Sequence, residues 1–262
     1  MKPLTHFILC ACLTTLLAAC ATTAYDIEKQ KAMADDLRRL GDAYTRQGDY
    51  TRALRYYLEA ADHYADDPQL QYSLGLTYQE KGNYDRAIEH FQRALAMQPD
   101  MAPAKNSLGV AYIKAGEYDK AIAILKQMIE ERGYEIYVTP QYSKYNLGWA
   151  YYQKKQYKDS DYYLQQVLDY YTSGIPKDDV FVKALRAMGL NALAQSRPEQ
   201  ALVHLEKAAA FAPKWADLYL DMARAYRLEG DKPHARKAYQ RVIELAPSTD
   251  IAGIAAREAA EL

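Results

Sequence analysis

Histidines and acidic side chains are the residues of this sequence that could support metal binding or acid–base catalysis. Four of the five histidines lie beyond the first 20 residues and are far from one another in sequence, without an HExxH pair or a second ligand at helical spacing. They are His63, His90, His204 and His234. Asp66-Asp67 and Asp178-Asp179 each precede a predicted helix, where acidic side chains cap free N–H groups. No GxxxxGK phosphate loop and no GxSxG motif is present. The sequence therefore predicts a protein that is not an enzyme, with no catalytic residue, no metal site, no cofactor and no small-molecule substrate.

The three cysteines all lie within the first 20 residues. A lysine precedes an apolar run at residues 7–17, which is too short to span a bilayer as a permanent helix and is followed by small residues. This order is typical of an export signal. Its ending, Leu17-Ala18-Ala19-Cys20, resembles the bacterial lipobox, in which the cysteine becomes the first mature residue and carries the lipids.

The lipobox resemblance implies that Cys20 is the lipid attachment site and that no thiol remains for a disulfide or a nucleophile. The alternative is an ordinary signal peptide with a chance cysteine near its end. In this resemblance, an alanine at position 21 favours the outer membrane over retention in the inner one. Several acyl chains on one residue give stable anchoring. The predicted location is therefore the periplasmic face of the outer membrane.

The element that recurs along the rest of the chain is the stretch of residues 68–101, which is predicted to form two antiparallel helices. Gly82 supplies the left-handed residue that ends the first helix, and Pro99 follows the second helix. The facing sides carry Leu74, Gly75 and Tyr78 on the first helix and Ala87, Phe91 and Ala94 on the second. The pattern L-G-x-x-Y, A-x-x-x-F-x-x-A, P over 34 residues closely resembles the tetratricopeptide repeat.

The repeat pattern recurs six times and sets the predicted organisation. The resemblance implies an all-α fold, a tetratricopeptide-repeat right-handed solenoid of about six helix hairpins with a C-terminal capping helix. Insertions around residues 134–140 and 173–181 lengthen two connections and are expected to be surface loops, with a binding or curvature-setting feature as the alternative. The predicted segments are a signal peptide at 1–19, a lipid-anchored tether at 20–33, repeats at 34–67, 68–101, 102–135, 141–174, 182–215 and 216–249, and a capping helix at 250–262.

A partner-binding groove is expected on the first helices, which line the concave surface of such repeats through positions 2, 5, 9, 12 and 13. These positions carry an apolar and aromatic stripe, typical of an interaction surface. The same positions also give Leu193 in the fifth repeat. At the two ends they turn charged, with Arg38, Asp42 and Arg46 in the first repeat and Asp217, Arg224 and Arg227 in the last. The alternative is that the aromatic residues pack partly against the neighbouring repeat. The predicted groove residues are Tyr72, Leu76, Asn106, Val110, Ile113, Tyr142, Tyr145, Trp149, Tyr152 and Leu190.

Composition limits the class of partner. The 33 basic and 34 acidic side chains leave a formal net charge of −1, whereas a general nucleic-acid binder needs a basic face to neutralise phosphates. The chain holds 25 tyrosines, more than the large-residue positions of the repeats require. We therefore expect a protein partner and no nucleic acid.

A six-repeat chain behind a lipobox, with an extended junction after the third repeat, resembles the type IV pilus pilotins, the PilF/PilW/Tgl lipoproteins. This resemblance implies an outer-membrane lipoprotein that helps the pilus secretin reach that membrane and assemble into its multimer, with a secretin subunit as partner. The residues that define the repeat pattern, such as the glycine and tyrosine of the first helix and the alanines of the second, are called its anchors. Ala192 and Ser160 stand at anchor positions where the pattern has tyrosine and alanine. One alternative is a lipid-anchored envelope adaptor for peptidoglycan enzymes or other machinery. Another is a carbohydrate-binding protein or enzyme that stacks sugars on the aromatic cluster.

The lipid anchor gives a first prediction. Cys20→Ser should leave a folded protein that is unanchored or unprocessed, because the lipid contributes nothing to the repeat cores. Fractionation of the envelope measures this. A Ser variant that still partitions with outer membranes in high salt would contradict anchoring through Cys20.

Overall fold

The computed structural model is helical throughout the part of the chain that it describes, with no β-strand there. It describes residues 3–130, 140–171 and 175–262, with side chains from residue 25 onward. The helices are α1 (Pro3–Arg46), α2 (Tyr50–His63), α3 (Pro68–Glu80), α4 (Tyr84–Met97), α5 (Ala102–Lys114), α6 (Tyr118–Glu130), α7 (Pro140–Gln153), α8 (Tyr157–Tyr170), α9 (Asp179–Ala194), α10 (Pro198–Phe211), α11 (Ala216–Glu229), α12 (Lys232–Leu245) and α13 (Asp250–Ala260).

Tight turns join the two helices of each hairpin. The first helix ends in a residue with positive φ, which is a glycine at four turns: Gly48, Gly82, Gly116 and Gly230. At three of them the next residue caps the second helix by accepting an N–H with its side-chain oxygen; these caps are Asp49, Asn83 and Asp231. Lys155 and Ser196 take the same left-handed conformation, with φ of 60° and 56°. The turns without glycine therefore keep the geometry of the others.

The helices of a hairpin approach most closely at the anchor glycine of the first helix. A Cβ atom added to Gly75 would lie 2.5 Å from Phe91 Cε1, and one added to Gly41 would lie 2.5 Å from Tyr57 Cε1. Gly148 and Gly189 meet leucine side chains at 2.9 and 2.7 Å in the same way. At these four glycines a larger residue would force the facing side chain to move, because that side chain packs directly on the helix backbone. In the last hairpin Ala223 takes the equivalent position.

Ser160, which replaces the small apolar anchor of a second helix, is accommodated by hydrogen bonds. Its side chain is fully buried, and its hydroxyl donates to the Gly148 carbonyl oxygen at 2.7 Å. It accepts from Asn191 Nδ2 at 2.9 Å. A buried hydroxyl with both roles filled avoids the desolvation cost of an unpaired polar group.

The chain divides into two compact units, residues 1–111 and residues 112–262. In the N-terminal unit, buried side chains from α1, α2 and α3 form the main core, with a smaller cluster around Met101. In the C-terminal unit, one core joins α8 to α11, and a second joins α11 and α12 to α13. Among the larger members of these two C-terminal cores are Leu164, Phe181, Leu185, Leu205 and Tyr239.

The first hairpin begins earlier than residue 34, where the repeat pattern placed it. Helix α1 runs continuously through the predicted tether. The end of that segment packs on α2, since Gln30 Oε1 lies 2.7 Å from His63 Nδ1 and Lys31 lies over the Tyr64 ring. Residues 25–39 contain no glycine or proline to stop a helix, which explains the extension. Cys20 lies in α1 among residues whose side chains are outside the described set.

Helix α13 covers the end of the last hairpin. Ala252 and Ala255 are buried against it, and Ile251 and Ile254 pack at the edge of the same core. Glu258 fixes this contact by accepting from Arg224 Nε at 3.0 Å and Nη2 at 2.6 Å. None of the described helices is long and apolar enough to cross a membrane.

The left-handed serine at the turn after α9 gives a second prediction. Ser196→Gly should raise the free energy of unfolding by about 1 kcal/mol, because a non-glycine residue is strained in that conformation. Ala194→Gly, two residues earlier at the end of α9, is the control and should lower stability by up to about 1 kcal/mol. Urea denaturation measures both, and a Ser196→Gly variant less stable than wild type would contradict the strain.

The ion pair that holds α13 gives a third prediction. Arg224 and Tyr239 lower the pKa of Glu258, so its stabilisation is present above the ordinary glutamate pKa of about 4.3 and is lost as the pH falls through the lowered value. Glu258→Gln should cost about 1.5 kcal/mol at pH 7. The difference from wild type should shrink in urea titrations below pH 4. Glu261→Gln, at an exposed side chain, is the control and should change stability little. A loss of stability for Glu258→Gln that does not depend on pH would contradict a stabilising role for the charge of Glu258.

Candidate protein-binding site

The four groove residues predicted in the N-terminal unit are all half-buried. The Tyr72 ring lies 5.8 Å from that of Phe91 and packs against the cluster of Ala94, Met101 and Ala104. The others are Leu76, Asn106 and Val110. Each therefore shows part of its surface to solvent while part is used in packing.

Ile113, the first predicted groove residue of the C-terminal unit, is only 9% exposed. Its side chain therefore offers little surface to a partner, and its place in the groove stays a prediction. Repeat position alone did not reveal this.

Tyr142 and Tyr145 take part in packing between the fourth and fifth hairpins. Both lie against the core that joins α8 to α11. The Tyr142 hydroxyl donates to Asp179 Oδ1 at 3.1 Å, and burial is the main cause of its raised pKa. Burial raises the pKa of Tyr145 to about 12. The alternative of packing against the neighbouring repeat, left open for the aromatic residues, holds for these two.

Trp149 and Tyr152 form a stacked pair one helical turn further along α7. Their ring centroids lie 5.0 Å apart at an interplanar angle of 29°, and Tyr157 continues the series 6.1 Å from Tyr152. Trp149 also packs against the core. Tyr152 also lines an open cavity and is therefore placed to meet a ligand.

The cavity beside Tyr152 holds about 520 Å³ and is lined by the first helices of three successive hairpins, α7, α9 and α11. We call this surface the first-helix face. It brings together three residues predicted for the apolar stripe, Tyr152, Leu190 and Leu193, and the predicted charged positions Arg224 and Arg227. The other lining residues were missed by the groove prediction. The complete lining is Tyr152, Leu190, Leu193, Ala194, Asp221, Arg224, Arg227 and Leu228.

The repeat rule could have identified two of the missed residues. Ala194 and Leu228 occupy the thirteenth position of the repeats that begin at residues 182 and 216, which is an inner-face position. Asp221 stands at the sixth position, outside the rule, and the sequence carried no signal for it. Its place in the cavity depends on the ion pair that it makes with α9.

Arg186 of α9 holds the acidic part of the cavity. Its Nε donates to Asp221 Oδ2 at 2.6 Å, its Nη2 donates to Asp217 Oδ1 at 3.2 Å, and its guanidinium lies 5.0 Å from the Trp215 ring centroid. Asp221 is 3% exposed, and this burial raises its pKa although Arg186 opposes the shift. The pair therefore joins two first helices and keeps a carboxylate at the cavity wall.

Two further arginines lie on the same face with very different partners. Arg224 makes the bidentate pair with Glu258, whose side chain is 19% exposed. Arg227 lies 3.7 Å from Glu261, with both side chains largely in solvent. Arg224 is therefore held in place by α13, whereas Arg227 has an interaction that salt and water weaken.

The chemistry of this face is recognition by shape and charge. Apolar side chains, an aromatic ring, a fixed carboxylate and two guanidinium groups surround one opening. Within the described residues, no group of three or more His, Cys, Asp and Glu side chains is placed to hold a metal ion. These features can bind a segment of another molecule.

Family models of the tetratricopeptide repeat match most of the chain. Three such models match, one at residues 38–102, one at 78–133 and 192–258, and one at 142–173. No curated protein sequence matches the chain.

Solved structures of similar fold include two type IV pilus proteins. The crystal structure of PilW, a widely conserved type IV pilus biogenesis factor, aligns with a TM-score of 0.73 at 18% identity over 84% of this chain and 97% of PilW. PilF of Pseudomonas aeruginosa aligns with a TM-score of 0.67 at 17% identity over 88% of this chain and 99% of PilF.

A third structure, YrrB, is a tetratricopeptide-repeat protein with an unusual peptide-binding site. It aligns with a TM-score of 0.51 at 16% identity over 77% of this chain and 97% of YrrB. At these identities the similarity shows the fold, and the family is typically a non-catalytic scaffold for protein interaction. The all-α fold predicted from the repeats is confirmed. The chain belongs to the tetratricopeptide-repeat proteins.

Proposed function

We propose that this protein is an outer-membrane lipoprotein that acts as a pilotin, assisting the localisation and multimer assembly of a type IV pilus secretin. The observation that carries the proposal is the structural similarity to PilW and PilF, which covers 97% of PilW and 99% of PilF. The lipobox ending at Cys20 supports it independently, since it would place the repeats at a membrane surface.

The first-helix face supports a binding role. It leaves Leu228 51% exposed beside Leu190 and Tyr152, in an opening large enough for several side chains of a partner. Apolar surface that a monomer leaves uncovered is a common feature of protein interaction sites. The partner in this proposal is a secretin subunit.

Lipid anchoring would make this binding effective at modest affinity. A scaffold held at one membrane meets other proteins of that membrane at a high effective concentration, so each contact can remain reversible. Reversible contact suits an assembly factor, which must release each subunit once the multimer forms. Cys20 and the first-helix face therefore act together in this proposal.

The experiment replaces the gene with variants and measures the secretin multimer and its membrane fraction. Loss of the protein should leave secretin monomers, and wild type should restore multimers. Leu190→Asp should fail to restore them while staying correctly localised, because it places a charge in the apolar part of the cavity. Tyr145 and Trp149 are less suitable targets, since both pack against the core and their loss would also lower stability.

The matched control is Tyr162→Asp, a change to the same charged residue at a side chain of α8 that is 63% exposed and outside the cavity. It should restore multimers as wild type does. Secretin multimers that form normally without the protein would contradict the pilotin function. Peptidoglycan enzymes recovered with the protein instead would favour the envelope adaptor.

A further inference from the structure

The cavity on the first-helix face changes from apolar to charged across its width. Leu190 and Leu193 of α9 and Leu228 of α11 form the apolar part. Leu228 is half-exposed, so an aliphatic side chain placed against it would remove apolar surface from water. This part of the cavity suits an aliphatic side chain of a ligand.

Arg227 is the cation of this cavity that can exchange its partner. Its pair with Glu261 is 3.7 Å long, and the two side chains are 41% and 71% exposed. Exposed pairs of this kind contribute little, so a ligand carboxylate could replace Glu261 at small cost. Arg224 is unsuited to this exchange because Glu258 holds it through two of its nitrogens.

Asp221 supplies a hydrogen-bond acceptor between these two parts. It is almost fully buried, and Arg186 Nε donates to its Oδ2 at 2.6 Å. This arrangement fixes the carboxylate at the cavity wall, where a carboxylate can accept an N–H group of a ligand backbone. A ligand dianion such as phosphate would suit the cavity poorly, since Asp221 and Glu258 both lie beside the arginines.

We propose that this cavity binds a segment of a partner protein in which an aliphatic side chain stands next to a carboxylate. The aliphatic side chain lies against Leu190, Leu193 and Leu228, the carboxylate pairs with Arg227, and a backbone N–H donates to Asp221. The inference rests on the proposed function in taking a protein segment as the occupant, and it adds the chemistry of that segment. In the free protein Arg227 pairs with Glu261, and the carboxylate of the segment replaces Glu261 on binding.

The probe is a random-sequence displayed peptide library selected on the detergent-solubilised, lipidated protein. Enriched peptides should carry Asp or Glu within two residues of Leu, Ile or Val. Arg227→Glu should weaken a selected peptide at least tenfold because it reverses the charge at the exchange site. Glu261→Gln should strengthen it by up to about fivefold, since it removes the competing carboxylate.

The control is Arg236→Glu, the same charge change at an exposed arginine of α12 that lies outside the cavity. It should bind like wild type, and thermal melts should show that all three variants are folded at the temperature of the binding assay. Enrichment of peptides without a carboxylate, no enrichment at all, or undiminished binding by Arg227→Glu would each overturn the inference.

A second arm separates this inference from the pilotin function by using intact secretin as the probe. Equal capture of secretin by wild type and Arg227→Glu would overturn the inference and leave the pilotin function standing. Binding of acidic aliphatic peptides without any capture of secretin would overturn the pilotin function and support the inference.

Discussion

The structure depends on one steric constraint, the direct packing of a large side chain onto a glycine of the facing helix. At Gly75 the Phe91 ring is so close that even a methyl group would overlap it, and Gly41, Gly148 and Gly189 show the same arrangement with other side chains. Because interiors are close-packed, such a contact fixes both the distance and the rotation of the two helices. The hairpin then presents a defined side of its first helix for other uses.

The large number of tyrosines follows from this architecture more than from the binding site. Tyr57 and Tyr239 bury their rings and donate their hydroxyl hydrogens to Asp42 and Glu258, and burial raises the pKa of both to about 12. Other tyrosines stack on a ring of the following helix; the stacked pairs include Tyr44 with Tyr56 and Tyr151 with Tyr163. Tyrosine suits these positions because it offers a large apolar ring and a polar group that reaches the edge of the core.

The sequence predicted the hairpins because their requirements are local. A left-handed turn, a cap and a small residue at the helix crossing leave marks such as Gly82, Asn83 and Gly75. Exposure on the first helices was predicted less well, since it depends on how the next hairpin covers each side chain. Tyr145 and Ile113 occupy inner-face positions and are nevertheless used in packing.

Ion pairs between α9, α11 and α13 are the other feature of the cavity that the sequence did not predict. Asp221 enters the cavity wall because Arg186, 35 residues earlier, holds it there. Arg224 is similarly withdrawn from ligand contact by Glu258, 34 residues later. Both spacings are close to the 34-residue repeat, but the sequence does not show which of the many charges one repeat apart are paired. Only the folded arrangement therefore reveals which charges remain for recognition.

The most direct test of the first-helix face is amide hydrogen exchange of the lipidated protein with and without purified secretin. Binding at that face should slow exchange in α9 and α11, the helices that carry most of the cavity lining, and leave α8 and α10 unchanged. Protection confined to α8, α10 and α12, or no protection in the presence of secretin, would contradict it.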